Sequence, residues 1–221
     1  MTDGVGFWNR TAARYDASMW LLGGPMPAMI ARVAEVVRGS ARVLELAAGT
    51  GLVTVAIAPV VGEVVATDYA PAMVERLARR VAALPNVTTR VADVYALAEP
   101  PGSFDAVVAA NVLHLVPDLD GALDAMLRVV RPGGRLVVPT YLHDATARSW
   151  AVSQALGWVG FPGQRRFTLD GLRSAVEARG ARVLAAESLD GLLPIGFVAA
   201  EVPKRATETS GAGTPSPRAG T

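Results

Sequence analysis

Two acids, two glycines and two histidines are the residues whose types and spacing suggest chemistry. Glu45 stands four residues before Gly49, Gly51 follows after Thr50, and Asp68 comes 17 residues after Gly51. The stretch "VLELAAGTGLVTVAIA", 43–58, opens as a buried strand, turns through Gly49-Thr50-Gly51 and continues as an apolar helix. Glycine tolerates positive φ and has no Cβ, so such a turn lets backbone approach a ligand. The helix behind it aims free N–H groups at the same place. An acid ending the next strand, as Asp68 does, can accept hydrogen bonds from both ribose hydroxyls of an adenosine. His114 and His143 are the only histidines, and a histidine is the usual side chain for moving a proton near neutral pH.

Which ligand the turn serves depends on what surrounds it. A dinucleotide site carries G-x-G-x-x-G/A, whereas this chain has Gly49-Thr50-Gly51-Leu52-Val53-Thr54, with threonine in the third small position. Glu45 is a second departure, because a pyrophosphate is disfavoured beside an acid. A ligand carrying an ammonium and a sulfonium is favoured there.

The elements that must position these residues follow from periodicity. Apolar residues at helical spacing predict helices over about 26–38, 50–60, 71–83, 119–130, 146–158 and 168–179. Pro25 and Pro27 sit at the start of the first, where proline is tolerated. Strands are expected at 41–46, 63–68, 86–93, 103–111 and 133–141. The alternation is that of a doubly wound α/β fold with a mainly parallel sheet. Two strands in succession, 181–189 and 195–202, predict a closing antiparallel hairpin. Residues 1–40 read as an N-terminal lid and helix, 41–202 as the binding domain, and 203–221 as a disordered tail with almost nothing to bury.

Composition narrows the function classes. The 221 residues are 51% hydrophobic and 19% charged, enough for a sizeable core. A net charge of +1 gives no electrostatic case for nucleic acid. The absence of cysteine removes disulfides, thiolate metal sites and cysteine nucleophiles, and two histidines make a histidine-rich metal site unexpected. No leader-like start is visible, and the apolar stretch 43–67 is broken by acids, glycines and a proline, so a cytoplasmic protein with no integral membrane segment is expected.

Glu45-Leu46-Ala47-Ala48-Gly49-Thr50-Gly51 resembles the first motif of class I S-adenosylmethionine (SAM) methyltransferases. Asp68, Asp93 in "VADVYAL", "FDAVVAANVLHLVPD" and "LRVVRPGGRLVVP" follow in the family's order over 42–139. The resemblance is nearest to the small bacterial group related to ubiquinone/menaquinone-biosynthesis C-methyltransferases, which "WNRTAARYD" also fits. It implies a Rossmann-like sheet of seven strands with the last antiparallel, and SAM as cofactor. It further implies that Glu45, Ala47, Gly49, Thr50, Gly51 and the backbone of Asn111 meet the amino-acid end of SAM. Asp68 would bind the ribose, Tyr69 and Met73 would flank the adenine, and Asp93 and the Val94 N–H would contact its edge. Tyr15 would close over the cofactor.

Each of these residues has a plainer alternative. Asp68 could cap the helix beginning at Pro71, Asp93 could only shape a turn, and Glu45 could pair with Arg10 or Arg14. His114 and His143 are either acceptor-side bases or core and loop histidines. Trp150, Trp158, Phe161 and Phe167, with Trp20, Leu21, Leu22 and Met26, are either core or the lining of an apolar acceptor pocket. The expected activity is methyl transfer to a small-molecule acceptor, lipid- or quinone-like, by in-line displacement. The alternatives are a non-catalytic SAM-binding module and an NAD(P)-dependent oxidoreductase. The oligomeric state is not legible.

Overall fold

The computed structural model describes residues 24–143 and 165–204, together with Gly6. Helix α1 (Met26–Val37) leads into strand β1 (Arg42–Leu46), helix α2 (Leu52–Ile57) and strand β2 (Glu63–Asp68). Helix α3 (Pro71–Arg80), β3 (Val87–Val91), β4 (Phe104–Ala109) and helix α4 (Leu119–Val129) follow. The chain then forms β5 (Val130–Val137), the two-residue β6 (Thr140–Tyr141), helix α5 (Leu169–Glu177), β7 (Arg182–Leu189) and β8 (Ile195–Glu201).

β1 to β5 are parallel in the order β3-β2-β1-β4-β5. β8 runs antiparallel beside β5, and β7 pairs antiparallel with β8, which is the expected hairpin. The sequence led to seven strands; among the described residues the sheet has eight. The difference is local. Pro139 has no N–H to give a ladder, so the expected 133–141 strand breaks into β5 and β6. Both pieces pair with β8, β5 through Ala199–Glu201 and β6 through Ile195 and Gly196.

Alternation along each strand divides the interior. Leu44, Leu46, Val107, Ala109 and Leu136 join Leu123 and Met126 of α4 on one side. Val43, Val64, Ala106 and Val108 join Met29 and Val33 of α1, Ile57 of α2 and Leu77 of α3 on the other. This is a sheet covered on both faces, which is why its strands are near-continuous apolar runs. α1 is thus part of the core, with Met29, Val33 and Val37 fully buried. α2 stops at Ile57, and a 3-10 turn over Ala58–Val60 carries Pro59 where a longer helix had been expected. The lid, the 146–158 helix with Trp150 and Trp158, Phe161 and the tail from 205 onward lie outside the described residues. Among the described residues no helix is long and apolar enough to cross a membrane.

Candidate active site

Strand order reverses at β1, whose neighbours are β2 and β4. In doubly wound sheets the crevice at the carboxyl ends of such strands is where ligands bind. The glycine turn leaves β1 at that point. Its backbone is left-handed at Gly49 (φ 57°) and Gly51 (φ 89°), and also at Ala47 (φ 52°). A non-glycine residue there costs about 1–2 kcal/mol, so Ala47 holds backbone strain at the entrance to the turn.

Asp68 fastens the turn from the next strand. Its Oδ2 accepts from the Gly49 N–H at 2.9 Å and its Oδ1 from the Ala70 N–H at 2.9 Å. It therefore shapes the loop on both sides of Tyr69, whereas α3 starts after Ala70 with no side-chain cap, so the helix-cap alternative is not realised. The Tyr69 backbone also hydrogen-bonds to the Asp68 carboxylate, which leaves about one lone-pair site for a ligand hydroxyl. Burial raises its pKa, against the lowering effect of the backbone N–H donors.

Glu45 is 2% exposed, on the same face of β1 as Val43. Its Oε2 accepts from Thr54 Oγ1 at 2.6 Å, and its backbone oxygen accepts from Thr67 Oγ1 at 3.0 Å. The two departures from the dinucleotide fingerprint, the early acid and the threonine in the third small position, are therefore one interaction. Loss of hydration pushes the Glu45 carboxyl up to about 8; the Thr54 hydrogen bond opposes this, and the negative charge of Asp68 adds to it. A cation entering the crevice would let the Glu45 carboxyl give up its proton, so the two acids favour a cationic ligand.

Asn111 closes the opposite side, where β4 ends. It too has positive φ (53°). Its N–H donates to the Pro139 oxygen at 2.7 Å, and its Nδ2 donates to Met26 Sδ at 3.3 Å. Its Oδ1 is buried with no hydrogen-bond partner among the described residues. A buried acceptor without a donor costs about 1–3 kcal/mol, so a ligand N–H would be stabilised there.

Tyr69 is 36% exposed and Met73 is buried. Asp93 accepts from the Tyr95 N–H at 3.0 Å and caps the turn holding Val94, as the turn-acid alternative has it. Thr50 points to the α3 side and accepts from Arg80 Nη1 at 3.1 Å. Tyr15 lies outside the described residues.

His114 and His143 come together, with ring centres 5.6 Å apart, both buried. Tyr141 meets His114 edge-on at 5.7 Å. His114 Nδ1 lies 2.9 Å from Thr140 Oγ1. Burial, with His143 close by, pushes His114 down to about 3, and burial pushes Tyr141 up to about 12. His114 is thus a neutral imidazole at neutral pH, able to exchange hydrogen bonds and weak as a base.

Sequence reasoning missed the supporting partners Thr54, Thr67, Tyr95 and Thr140. Thr54 alone left a signal, as the residue that broke the fingerprint. Tyr95 OH donates to the Asp118 oxygen at 2.9 Å and accepts from the Asp118 N–H at 3.1 Å, tying the end of β3 to the cap of α4.

Residues 43–134 match the family model described as "Methyltransferase domain". A demethylmenaquinone methyltransferase of Beutenbergia cavernae is 36% identical over 157 residues, 70% of this chain and 62% of the relative. The likeness to a methyltransferase domain thus rests on the segment that carries the glycine turn, Asp68 and Asn111. The chain spans about three fifths of the length of that curated relative. Among solved structures, the putative methyltransferase in complex with the Haloferax volcanii Trm112 methyltransferase activator superposes with TM-score 0.75 at 17% identity. It covers 89% of this chain and 97% of its own. A SAM-dependent methyltransferase from Aquifex aeolicus gives TM-score 0.63 at 20% identity, covering 80% and 89%. These structural likenesses show the fold, a Rossmann-like α/β sheet.

Proposed function

We propose that the crevice at the carboxyl ends of β1, β2 and β4 binds SAM, and that the protein transfers its methyl group to a small apolar acceptor of quinone type. The observation that carries the reading is the turn itself: Asp68 holding Gly49, with buried Glu45 behind and the partnerless Asn111 Oδ1 across. These groups fit a ligand with ribose hydroxyls, an ammonium and a sulfonium. They are poorly suited to a pyrophosphate, whose negative charge would lie beside Asp68 and oppose ionisation of Glu45. The name of the Beutenbergia relative supports a quinone acceptor.

SAM supplies a methyl group on a sulfonium, already a good leaving group. The residues of this chain therefore have to orient, exclude water and hold charge. Asp68 would fix the ribose, Asn111 Oδ1 would accept from the ammonium, and Glu45 would set the charge beneath the turn. His114, His143 and Thr140 would face the acceptor. A neutral His114 held by Thr140 would orient an acceptor hydroxyl by hydrogen bonding rather than remove its proton.

The test is methyl transfer from labelled SAM to a demethylated quinol, with wild type and His114→Asn. The expected result is labelled quinone from the wild type, with a rate at least about tenfold lower in the variant, typical of losing one positioning hydrogen bond. SAM binding without label transfer to any quinol or phenol would overturn the acceptor assignment.

A further inference from the structure

The last two turns of α3 set Arg76, Arg79 and Arg80 at i, i+3 and i+4, so their side chains are neighbours. With Thr50 they line a cavity of about 140 Å³ between α3 and the glycine turn. One water needs only roughly 10–15 Å³. Arg80 reaches the turn directly, through its hydrogen bond to Thr50 and by packing its Cδ 3.6 Å from where a Cβ on Gly51 would stand.

Two of the three charges in this cluster, Arg76 and Arg79, are not balanced within the described residues. Seven other arginines each hold a carboxylate, Arg32, Arg42 and Arg131 among them. Among the described residues Arg76 and Arg79 hold none. Glu75 stands four residues before Arg79, in the favourable orientation for an ion pair, and yet does not form one. Like charges at this spacing destabilise a helix by a few tenths of a kcal/mol. The helix dipole rewards cations in the last turn, which accounts for Arg79 and Arg80. It does not account for Arg76, one turn earlier and half-buried at the cavity wall. Guanidinium groups present planar forks of donors, the geometry that grips tetrahedral oxyanions.

We propose that Arg76, Arg79, Arg80 and Thr50 form a binding site for a phosphate-type oxyanion, carried by free phosphate or by a phospholipid headgroup. The site lies on the α3 side of the turn and does not rest on the cofactor reading.

The experiment compares wild type with Arg76→Gln/Arg79→Gln, neither residue being assigned to the cofactor crevice. Inorganic phosphate is titrated calorimetrically at constant ionic strength. In parallel, the protein is sedimented with vesicles of phosphatidylglycerol or of phosphatidylcholine. Saturable phosphate binding that weakens about tenfold or more in the double variant supports the site with free phosphate as its source. Capture by phosphatidylglycerol alone, lost in the double variant, supports the site with a headgroup as its source. Arg79→Glu, a change on the exposed face, gives the same direction by charge reversal should the double variant fold poorly. Absence of both saturable phosphate binding and anionic-vesicle capture overturns the proposal, as does binding that these substitutions leave unchanged.

Discussion

Glu45 shows how one buried group can set the behaviour of the site. Its carboxyl titrates near 4.5 when hydrated and near 8 in the fold. Between those values the folded chain keeps a proton that the unfolded chain has lost. Stability is therefore full below about pH 4.5, falls as pH rises towards 8 and is level above it. Asp68, also raised by burial, adds in the same direction. Glu45→Gln keeps the shape and an acceptor for Thr54 but cannot ionise. Thermal or denaturant unfolding should find the variant equal to wild type near pH 4 and more stable at pH 8, by on the order of several kcal/mol. A wild-type stability that does not decline over this range would contradict the buried acid. Cofactor affinity should fall in Glu45→Gln, most clearly at pH 8 and above, where the wild-type carboxyl gains a negative charge that the variant cannot supply.

The glycine turn is the element on which the site depends, and its geometry makes a separate prediction. A Cβ on Gly51 would stand 2.6 Å from Leu77 Cδ1, with φ at 89°. Leu77 is fully buried and has little room to yield. Gly51→Ala should cost about 2–4 kcal/mol, summing left-handed strain and overpacking. Ala47→Gly should cost nothing or stabilise by up to about 1 kcal/mol, since φ is already positive there. Denaturant melts of the pair distinguish a strained turn from a relaxed one. Much of this element was legible in the sequence. Two glycines flanked by a buried strand and an apolar helix have few other uses, and strand and helix periods placed nearly every element. What was not legible depended on contacts across the sheet. Thr54 holding Glu45 and Thr140 meeting His114 join residues 9 and 26 positions apart, which no local period reveals. The break at Pro139 was visible as a proline, but whether the strand resumes depends on β8 being there to pair with.

At the scale of the whole molecule, α1 belongs with the sheet rather than with a detachable lid. Met29, Val33 and Val37 fill the same apolar layer as Ile57, Leu77 and Val108. Met29→Ala should cost about 2–5 kcal/mol in a single cooperative transition, as for a core residue. A loss below about 0.5 kcal/mol would mean that the helix is only loosely attached. Met26, on the first turn of this helix, also touches Asn111 through its sulfur. The N-terminal helix thus supports the mouth of the crevice, and the sheet, the turn and this helix position the site together.

The most direct measurement is a calorimetric titration of SAM and S-adenosylhomocysteine, with NADH as control, into wild type and Asp68→Ala. The account predicts that both adenosyl ligands bind the wild type, that NADH does not, and that Asp68→Ala weakens binding at least about tenfold, or roughly 1.4 kcal/mol. NADH binding in place of SAM, or SAM affinity unchanged without the Asp68 carboxylate, would contradict it.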